Sequence, residues 1–266
     1  MDVAERLRAG EVHVNDAHAR HGAENQMPGF TRRQWIGGPA HPAHPARLGE
    51  RPGRPPMRRA LVVRGGWEGH VPVEATELFV PELAAAGFEV TVADDLEVYA
   101  DGPLLAGTDL IVQCWTGGVL TAEQESGLVS AVRAGTGFAG WHGGLVATFD
   151  GSHDYLRMVG GLFLHHPEDF LTYDVVIDPA HAGHPIVAGL DDFTVETEQY
   201  WMLTDAHNEV LATTRFVSPE TPMPVVWTRR WGRGKVFFSA VGHRMEDLRH
   251  PTVYELTRRG LIWAGR

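Results

Sequence analysis

Short apolar runs alternate with amphipathic helical patterns through most of this chain, and that alternation most constrains its fold. Residues 60–63 read Ala-Leu-Val-Val and residues 109–114 form a second run, a length and content typical of strands buried on both faces. Residues 71–86 and 121–134 predict helices that end at glycine. The pattern predicts an α/β fold with a mostly parallel central sheet, right-handed crossovers and flanking helices in a three-layer architecture.

Strand patterns continue to the end of the chain, but beyond residue 141 they follow one another more closely. A glycine-bearing turn at residues 231–234 indicates a hairpin. Residues 252–263 predict a closing helix. The further strands are expected over residues 88–92, 137–141, 174–177, 210–213, 225–227 and 235–238.

Residues 1–58 differ in composition from the rest. This N-terminal extension holds 7 of the 17 prolines and 5 of the 15 histidines and has neither helical nor strand periodicity. We expect it to be disordered and followed by one α/β domain over residues 59–266. Weak metal binding by its histidines and a translation start at Met57 are open alternatives. The histidines concerned are His13, His18, His21, His41 and His44.

Charge and cysteine content narrow the classes of partner. The net charge of −11 argues against a protein that binds nucleic acid through phosphate contacts. The chain has no apolar run long enough to span a membrane. A single cysteine, Cys114, excludes a disulfide framework and a multi-cysteine zinc site. We expect a cytoplasmic protein with a small-molecule partner, and the sequence leaves a homo-oligomer open.

A histidine stands between glycines at a predicted strand-to-helix switch. In the segment Gly140-Trp141-His142-Gly143-Gly144, the small residues allow a sharp turn that presents one side chain above the sheet. Imidazole does not form a stable acyl-enzyme as serine or cysteine does, but it moves protons near neutral pH. The segment predicts His142 as a proton-transfer residue, with an incidental histidine in a glycine-rich turn as the alternative.

Three more histidines belong to loops predicted near the same edge of the sheet. His70 follows the first strand, His166 lies in a His-His-Pro segment, and His243 follows the last strand. Ligands of parallel sheets gather at the carboxyl ends of the strands. Glu198 supplies a carboxylate that can orient or protonate an imidazole. Each of these residues alone has an ordinary surface role as its alternative.

In these segments the sequence resembles the trehalose-utilisation (ThuA-like) family, whose fold is similar to that of the class I glutamine amidotransferases (flavodoxin-like). The resemblance covers about residues 59–265. Thr197-Glu198-Gln199-Tyr200 departs from the Asp-Glu pair that the family usually has before the tyrosine. The segments that resemble the family are Gly65–His70, Gly140–Gly144, Met158–Pro167, His184–Ile186, Glu196–Tyr200, Pro224–Thr228, Gly232–Phe238 and Gly242-His243.

The resemblance implies carbohydrate metabolism, through acid/base chemistry on a keto-sugar or keto-glycoside. We expect His142 as leading base and His243 as second proton carrier, with His70, His166 and Glu198 completing the relay. Indole faces can stack on a sugar ring. Residues expected to bind the substrate are Trp67, Trp115, Trp141, Gly143 and Tyr200.

The cofactor and the class of activity stay open at this point. Neutral imidazoles with a carboxylate also suit a divalent metal such as zinc. A glutaminase needs a nucleophilic thiol at the sharp strand-to-helix turn, here called the elbow. This chain has His142 at that position, so amidotransfer is not expected. A lyase, hydrolase or isomerase acting on a sugar fits the residues, and a non-catalytic sugar-binding or regulatory protein is the alternative. An interaction subunit that docks through the N-terminal extension is a third hypothesis.

Overall fold

The computed structural model describes residues 57–217 and 220–266, and it confirms the α/β class. The expectations for the N-terminal extension lie outside the described residues, apart from its last two positions. The strands are β1 (Arg58–Gly66), β2 (Phe88–Ala93), β3 (Leu110–Thr116), β4 (Gly137–Trp141), β5 (Gly161–His165), β6 (Leu171–Ile177), β7 (Phe193–Thr197), β8 (Trp201–Thr204), β9 (Glu209–Val217), β10 (Glu220–Trp231) and β11 (Gly234–Ser239).

Helices connect the strands of the first half and close the chain. Thr121 caps one of them through the predicted capping box with Gln124. None of the helices in the described ranges is long and apolar enough to cross a membrane. The helices are α1 (Pro72–Ala85), α2 (Gly102–Ala106), α3 (Ala122–Ala134), α4 (Gly143–Val146), α5 (His153–Val159), α6 (Met245–Arg249) and α7 (Pro251–Ala264).

The central sheet has nine strands in the order β2-β1-β3-β4-β11-β10-β9-β6-β7. From β2 to β11 all neighbours are parallel, and from β11 to β7 all are antiparallel. The predicted parallel sheet is therefore its first five strands, and the closely spaced strands of the second half extend it. The predicted hairpin between β10 and β11 is confirmed, with Trp231 paired to Gly234.

The parallel strands are buried on both faces, as their apolar content predicts. Ala60, Leu61, Val62 and Val63 all have exposures of 2% or less. Successive side chains of a strand point to opposite faces, so both faces of β1 are covered. Helices α1, α6 and α7 contact one another, and α3 contacts both α2 and α5 in a second group. These two groups flank the sheet.

A separate two-stranded sheet, β5 with β8, lies outside the central one. Sequence patterning predicted neither of these strands, nor β7. These short strands determine where the residues next to them lie. His166 directly follows β5, and Glu198 and Tyr200 lie between β7 and β8.

Candidate functional site

Three histidines come together beyond the carboxyl ends of three strands of the parallel half of the sheet. His70, His142 and His243 follow β1, β4 and β11 respectively. Their ring centroids are 4.8 Å apart for His70 and His142, 5.0 Å for His70 and His243, and 5.4 Å for His142 and His243. The predicted convergence of these imidazoles at one edge of the sheet is thus observed.

His142 occupies the predicted sharp turn between β4 and α4. Its backbone has φ 50° and ψ −145°, a conformation that non-glycine residues rarely adopt and that costs about 1–3 kcal/mol. The backbone N–H of His142 donates to the carbonyl of Ser239 at 2.7 Å, which ties the turn to β11. The surrounding structure therefore stabilises a strained backbone conformation that holds this imidazole at the turn.

Gly143 lets two histidines approach each other across the elbow. A Cβ at this position would lie 2.3 Å from Cε1 of His70 and 3.3 Å from the hydroxyl of Tyr200. No side chain larger than hydrogen fits without displacing the ring of His70. The sequence predicted Gly143 as a substrate-binding residue; the structure places it under His70, where it makes room for the imidazole.

Glu198 is the common neighbour of the imidazoles. Its Oε2 lies 3.0 Å from Nε2 of His142 and 3.2 Å from Nδ1 of His243. Its Oε1 lies 3.3 Å from Nε2 of His166. The hydroxyl of Tyr173 donates to the backbone carbonyl of Glu198 at 3.0 Å and helps fix this residue. One carboxylate therefore contacts three of the four predicted histidines.

The remaining ring nitrogens are held by groups outside the cluster. Nδ1 of His142 donates to the carbonyl of Ala240 at 2.7 Å, and Nδ1 of His166 donates to the carbonyl of Pro167 at 2.5 Å. A carbonyl only accepts, so both Nδ1 atoms carry a proton, and in the neutral ring of His142 the lone pair is then on Nε2, which faces Glu198. Nδ1 of His70 lies 2.7 Å from Oγ1 of Thr116.

Tyr200 covers the cluster from the side of β8. Its ring stacks on that of His142 at 4.1 Å, and its hydroxyl lies 2.6 Å from Nε2 of His142. Burial raises the pKa of Tyr200 well above its usual value, so the hydroxyl keeps its proton. Glu198 is a second acceptor for this proton. Tyr200 is therefore a hydrogen-bond donor to the cluster.

Burial sets the protonation of the imidazoles. It lowers the pKa of His142, and together with the neighbouring imidazoles of His142 and His243 it lowers that of His70 to about 3. Both rings are therefore neutral near pH 7. The site combines the neutral imidazoles of His70 and His142 with one carboxylate.

Aromatic side chains form the solvent-facing side of the cluster. Trp67 is 56% exposed, and its ring lies 4.7 Å from that of His70 and 6.3 Å from that of His243. Phe170 is 39% exposed and lies 5.4 Å from His243. Two exposed rings beside the imidazoles give a ligand apolar faces on which to stack.

A cavity of about 350 Å³ lies beside Phe163, a neighbour of Tyr200. Phe163 contributes to its lining and packs on Tyr200 with ring centroids 4.4 Å apart. Gly117, another lining residue, directly follows the Thr116 that contacts His70. The cavity is therefore lined by residues that adjoin the cluster in the chain or pack on Tyr200.

Two tryptophans predicted to bind substrate lie elsewhere. Trp141 is 1% exposed and packs on Phe79 in the core, so its indole supports the elbow from below and offers no face to a ligand. Trp115 is half-buried and lies against Gly65 near the end of β1. Of the three predicted tryptophans, Trp67 alone borders the cluster with an exposed ring.

Some residues of the site were missed by sequence reasoning. Thr116 ends β3 at the same edge as the histidines, so its position in the parallel sheet was a usable signal. No sequence pattern marked Phe170 and Tyr173 as site residues, because their contacts depend on how the second half of the chain packs against the first.

The single cysteine is buried in the sheet. Cys114 is 2% exposed within β3, and burial raises the pKa of its thiol to about 12.

Comparison with known proteins gives the following matches. A family model described as trehalose utilisation (ThuA) matches residues 59–264. A solved ThuA-like protein from Bacteroides uniformis is 19% identical, with a TM-score of 0.67 over 84% of this chain and 95% of that one. A ThuA-like protein from Parabacteroides merdae is 16% identical, with a TM-score of 0.64 over 79% and 90%.

A third solved structure, a cytoplasmic protein from Salmonella typhimurium, is 13% identical, with a TM-score of 0.57 over 78% of this chain and 97% of that one. At these identities the likeness is one of fold. Among curated proteins, none matches the chain.

Proposed function

The chain belongs to the trehalose-utilisation (ThuA) family, since the family model spans residues 59–264, and we propose that it is an enzyme that performs acid/base chemistry on a keto-sugar or keto-glycoside. One observation carries the proposal most directly. The Glu198 carboxylate contacts His142, His166 and His243 beside two exposed aromatic rings. Proton carriers next to stacking surfaces are what a sugar-modifying site requires.

The burial of the imidazoles supports a division of roles among them. The side chain of His142 is 1% exposed, and its Nε2 is covered by Glu198 and Tyr200. The side chain of His166 is 30% exposed, and its Nε2 points to the same carboxylate. We therefore assign the role of base to His166 rather than to His142, which orients Glu198 and Tyr200 from below.

The chemistry follows from the acidity of a C–H bond next to a carbonyl. His166 takes that proton on Nε2, and the bonding pair moves toward the carbonyl, whose oxygen becomes the negative end of an enolate. The imidazolium of His166 then gives a proton to this oxygen, which completes an enol and restores the neutral base; isomerisation or cleavage proceeds from the enol. Each positioned proton transfer contributes roughly 10²- to 10⁴-fold in rate. Glu198 stabilises the imidazolium of His166 that forms.

Glutaminase activity is not proposed, even though the predicted scaffold is shared. A thioester requires a reactive thiol at the elbow, where this chain has His142. The thiol of Cys114 is buried within β3, and its high pKa keeps it protonated. Neither residue supplies the nucleophile.

Turnover of keto-disaccharides and keto-glycosides by the His166→Ala variant tests the proposal. We expect a loss of at least about 10²-fold in kcat relative to wild type. His165→Ala is the matched control, because His165 is the exposed neighbour that packs near Trp201 rather than Glu198. Binding without turnover by the wild type would favour a sugar-binding or regulatory protein instead.

A further inference from the structure

We infer that His70, His142, His243 and Glu198 form a binding site for one divalent transition-metal ion. Each residue offers one ligand atom, and the four atoms lie within 4.8 Å of one another. Here, these four residues are called the cluster. What the ion does rests on the proposed function, whereas its binding can be measured without any substrate.

The shortest separations between ligand atoms match the edge lengths of a metal coordination polyhedron. Oε2 of Glu198 lies 3.0 Å from Nε2 of His142 and 3.2 Å from Nδ1 of His243. Nitrogen and oxygen ligands bind zinc at about 2.0–2.2 Å, so neighbouring ligand atoms lie roughly 3 to 3.5 Å apart. Separations in the cluster reach at most 4.8 Å, so a common centre requires side-chain rotations that bring the ligand atoms closer together.

Hydrogen bonding leaves electron-rich atoms facing one another inside the cluster. With its proton on Nδ1, bonded to Ala240, His142 directs a lone pair toward the carboxylate of Glu198. The buried Nδ1 of His243 makes no hydrogen bond within the described residues, although it lies 3.2 Å from the same carboxylate. A cation between these atoms replaces repulsion by attraction.

Tyr200 is compatible with an ion bound to His142. Its hydroxyl has one proton and two acceptors, Nε2 of His142 at 2.6 Å and the carboxylate of Glu198. When the proton is donated to the carboxylate, the Nε2 lone pair is free for the ion. The hydroxyl then becomes a support for the ligand Glu198.

The partners of the outer ring nitrogens are those that metal-bound histidines have. Ligating imidazoles usually bond through their second nitrogen to a carbonyl, a carboxylate or another fixed polar group, which holds the ring in place. Nδ1 of His142 has Ala240 O at 2.7 Å, and Nδ1 of His70 has Thr116 Oγ1 at 2.7 Å. These two ligand rings are thus fixed before any ion binds.

The donor set selects the class of ion. Three imidazole nitrogens and one carboxylate suit zinc, manganese, iron, cobalt or nickel, whereas calcium and magnesium require mostly oxygen ligands. The exposed ring of Trp67 lies 6.3 Å from that of His243, so the cluster is bordered by the surface where a substrate enters. An ion there would polarise the keto oxygen of the substrate. His166 lies outside the four residues and remains available as base.

Titration of the full-length, chelator-treated protein with Co²⁺ tests the inference. We expect one ion per chain with the visible absorption of bound Co²⁺, displaced by Zn²⁺, and a rise in Tm on binding. Glu198→Gln and His70→Ala should lose this spectrum while circular dichroism shows them folded. His207→Ala is the matched control, because His207 is 87% exposed and paired with Asp205.

The histidines of the N-terminal extension are the competing metal-binding group. Replacing all five by alanine should leave the Co²⁺ spectrum unchanged. Retention of the spectrum in Glu198→Gln, its loss with the five N-terminal histidines, or no bound ion in the wild type would each overturn the inference. Metal binding without turnover of any keto-sugar would contradict the proposed function and leave the metal site supported. Full turnover by metal-free protein would contradict the role of the ion.

Discussion

Nε2 of His142 and Oε2 of Glu198 lie 3.0 Å apart in the interior of the site, although 56 positions separate the residues in the chain. The contact joins the elbow after β4, in the parallel half of the sheet, to the segment between β7 and β8 in the antiparallel half. Neither half contains the site alone. Folding of the second half onto the first therefore completes it.

Tyr200→Phe should lower kcat about tenfold, because it removes a hydroxyl that contacts His142 Nε2 at 2.6 Å, and a hydrogen bond to a charged or buried partner contributes about 1–3 kcal/mol. KM should change little, since the phenyl ring remains stacked on His142. Tyr254→Phe serves as control, because that hydroxyl bonds Glu82 on the helix surface. Equal kcat for Tyr200→Phe and wild type would show that the hydroxyl has no part in turnover.

Gly143→Ala should abolish most of the activity while the protein stays folded. Its Cβ would lie 2.3 Å from Cε1 of His70, so the imidazole must leave the cluster. We expect at least about 10²-fold lower kcat, the effect of losing a positioned group. Gly151→Ala is the matched control, because a Cβ there meets nothing within 4 Å. A fully active Gly143→Ala enzyme would mean that the position of His70 does not matter.

Trp67 should act on substrate binding rather than on the chemical step. Its ring is 56% exposed beside His70, where it can stack on a sugar face. Aromatic contacts contribute about 0.5–1.5 kcal/mol, so Trp67→Ala should raise KM about two- to tenfold with kcat nearly unchanged. Trp67→Phe should recover part of the loss. Steady-state kinetics decide, and an unchanged KM in Trp67→Ala would remove Trp67 from the binding surface.

Cys114 should be inert in the folded protein. Burial raises the pKa of its thiol to about 12, so almost none of it is thiolate near pH 8, and the side chain is 2% exposed. Ellman's reagent should label it only after unfolding in guanidinium, and Cys114→Ala should keep full turnover. Rapid labelling of the native protein, or loss of turnover in folded Cys114→Ala, would indicate a reactive thiol.

The parallel half of the fold and three of the site's histidines followed from the sequence. Buried apolar strands end at glycine, and the loops after parallel strands lie at one edge of the sheet. The sequence therefore predicted that His70, His142 and His243 lie near one another. The placement of Glu198 against them could not be derived, because it depends on short strands and antiparallel pairing without a local signal. The sequence also did not show which tryptophan side chains are buried. Trp141 ends a strand, as Trp67 follows one, but packing against Phe79 decides that its indole is interior.

The role of Glu198 is the centre of this account, and solvent exchange tests it most directly. A keto-disaccharide incubated with enzyme in D₂O should gain deuterium at the carbon next to the carbonyl, or be converted, as seen by NMR. Glu198→Gln should reduce this rate by at least about 10²-fold. Glu196→Gln, an exposed carboxylate two residues away, should match the wild type. Exchange and turnover that persist at the wild-type rate in Glu198→Gln would contradict the account.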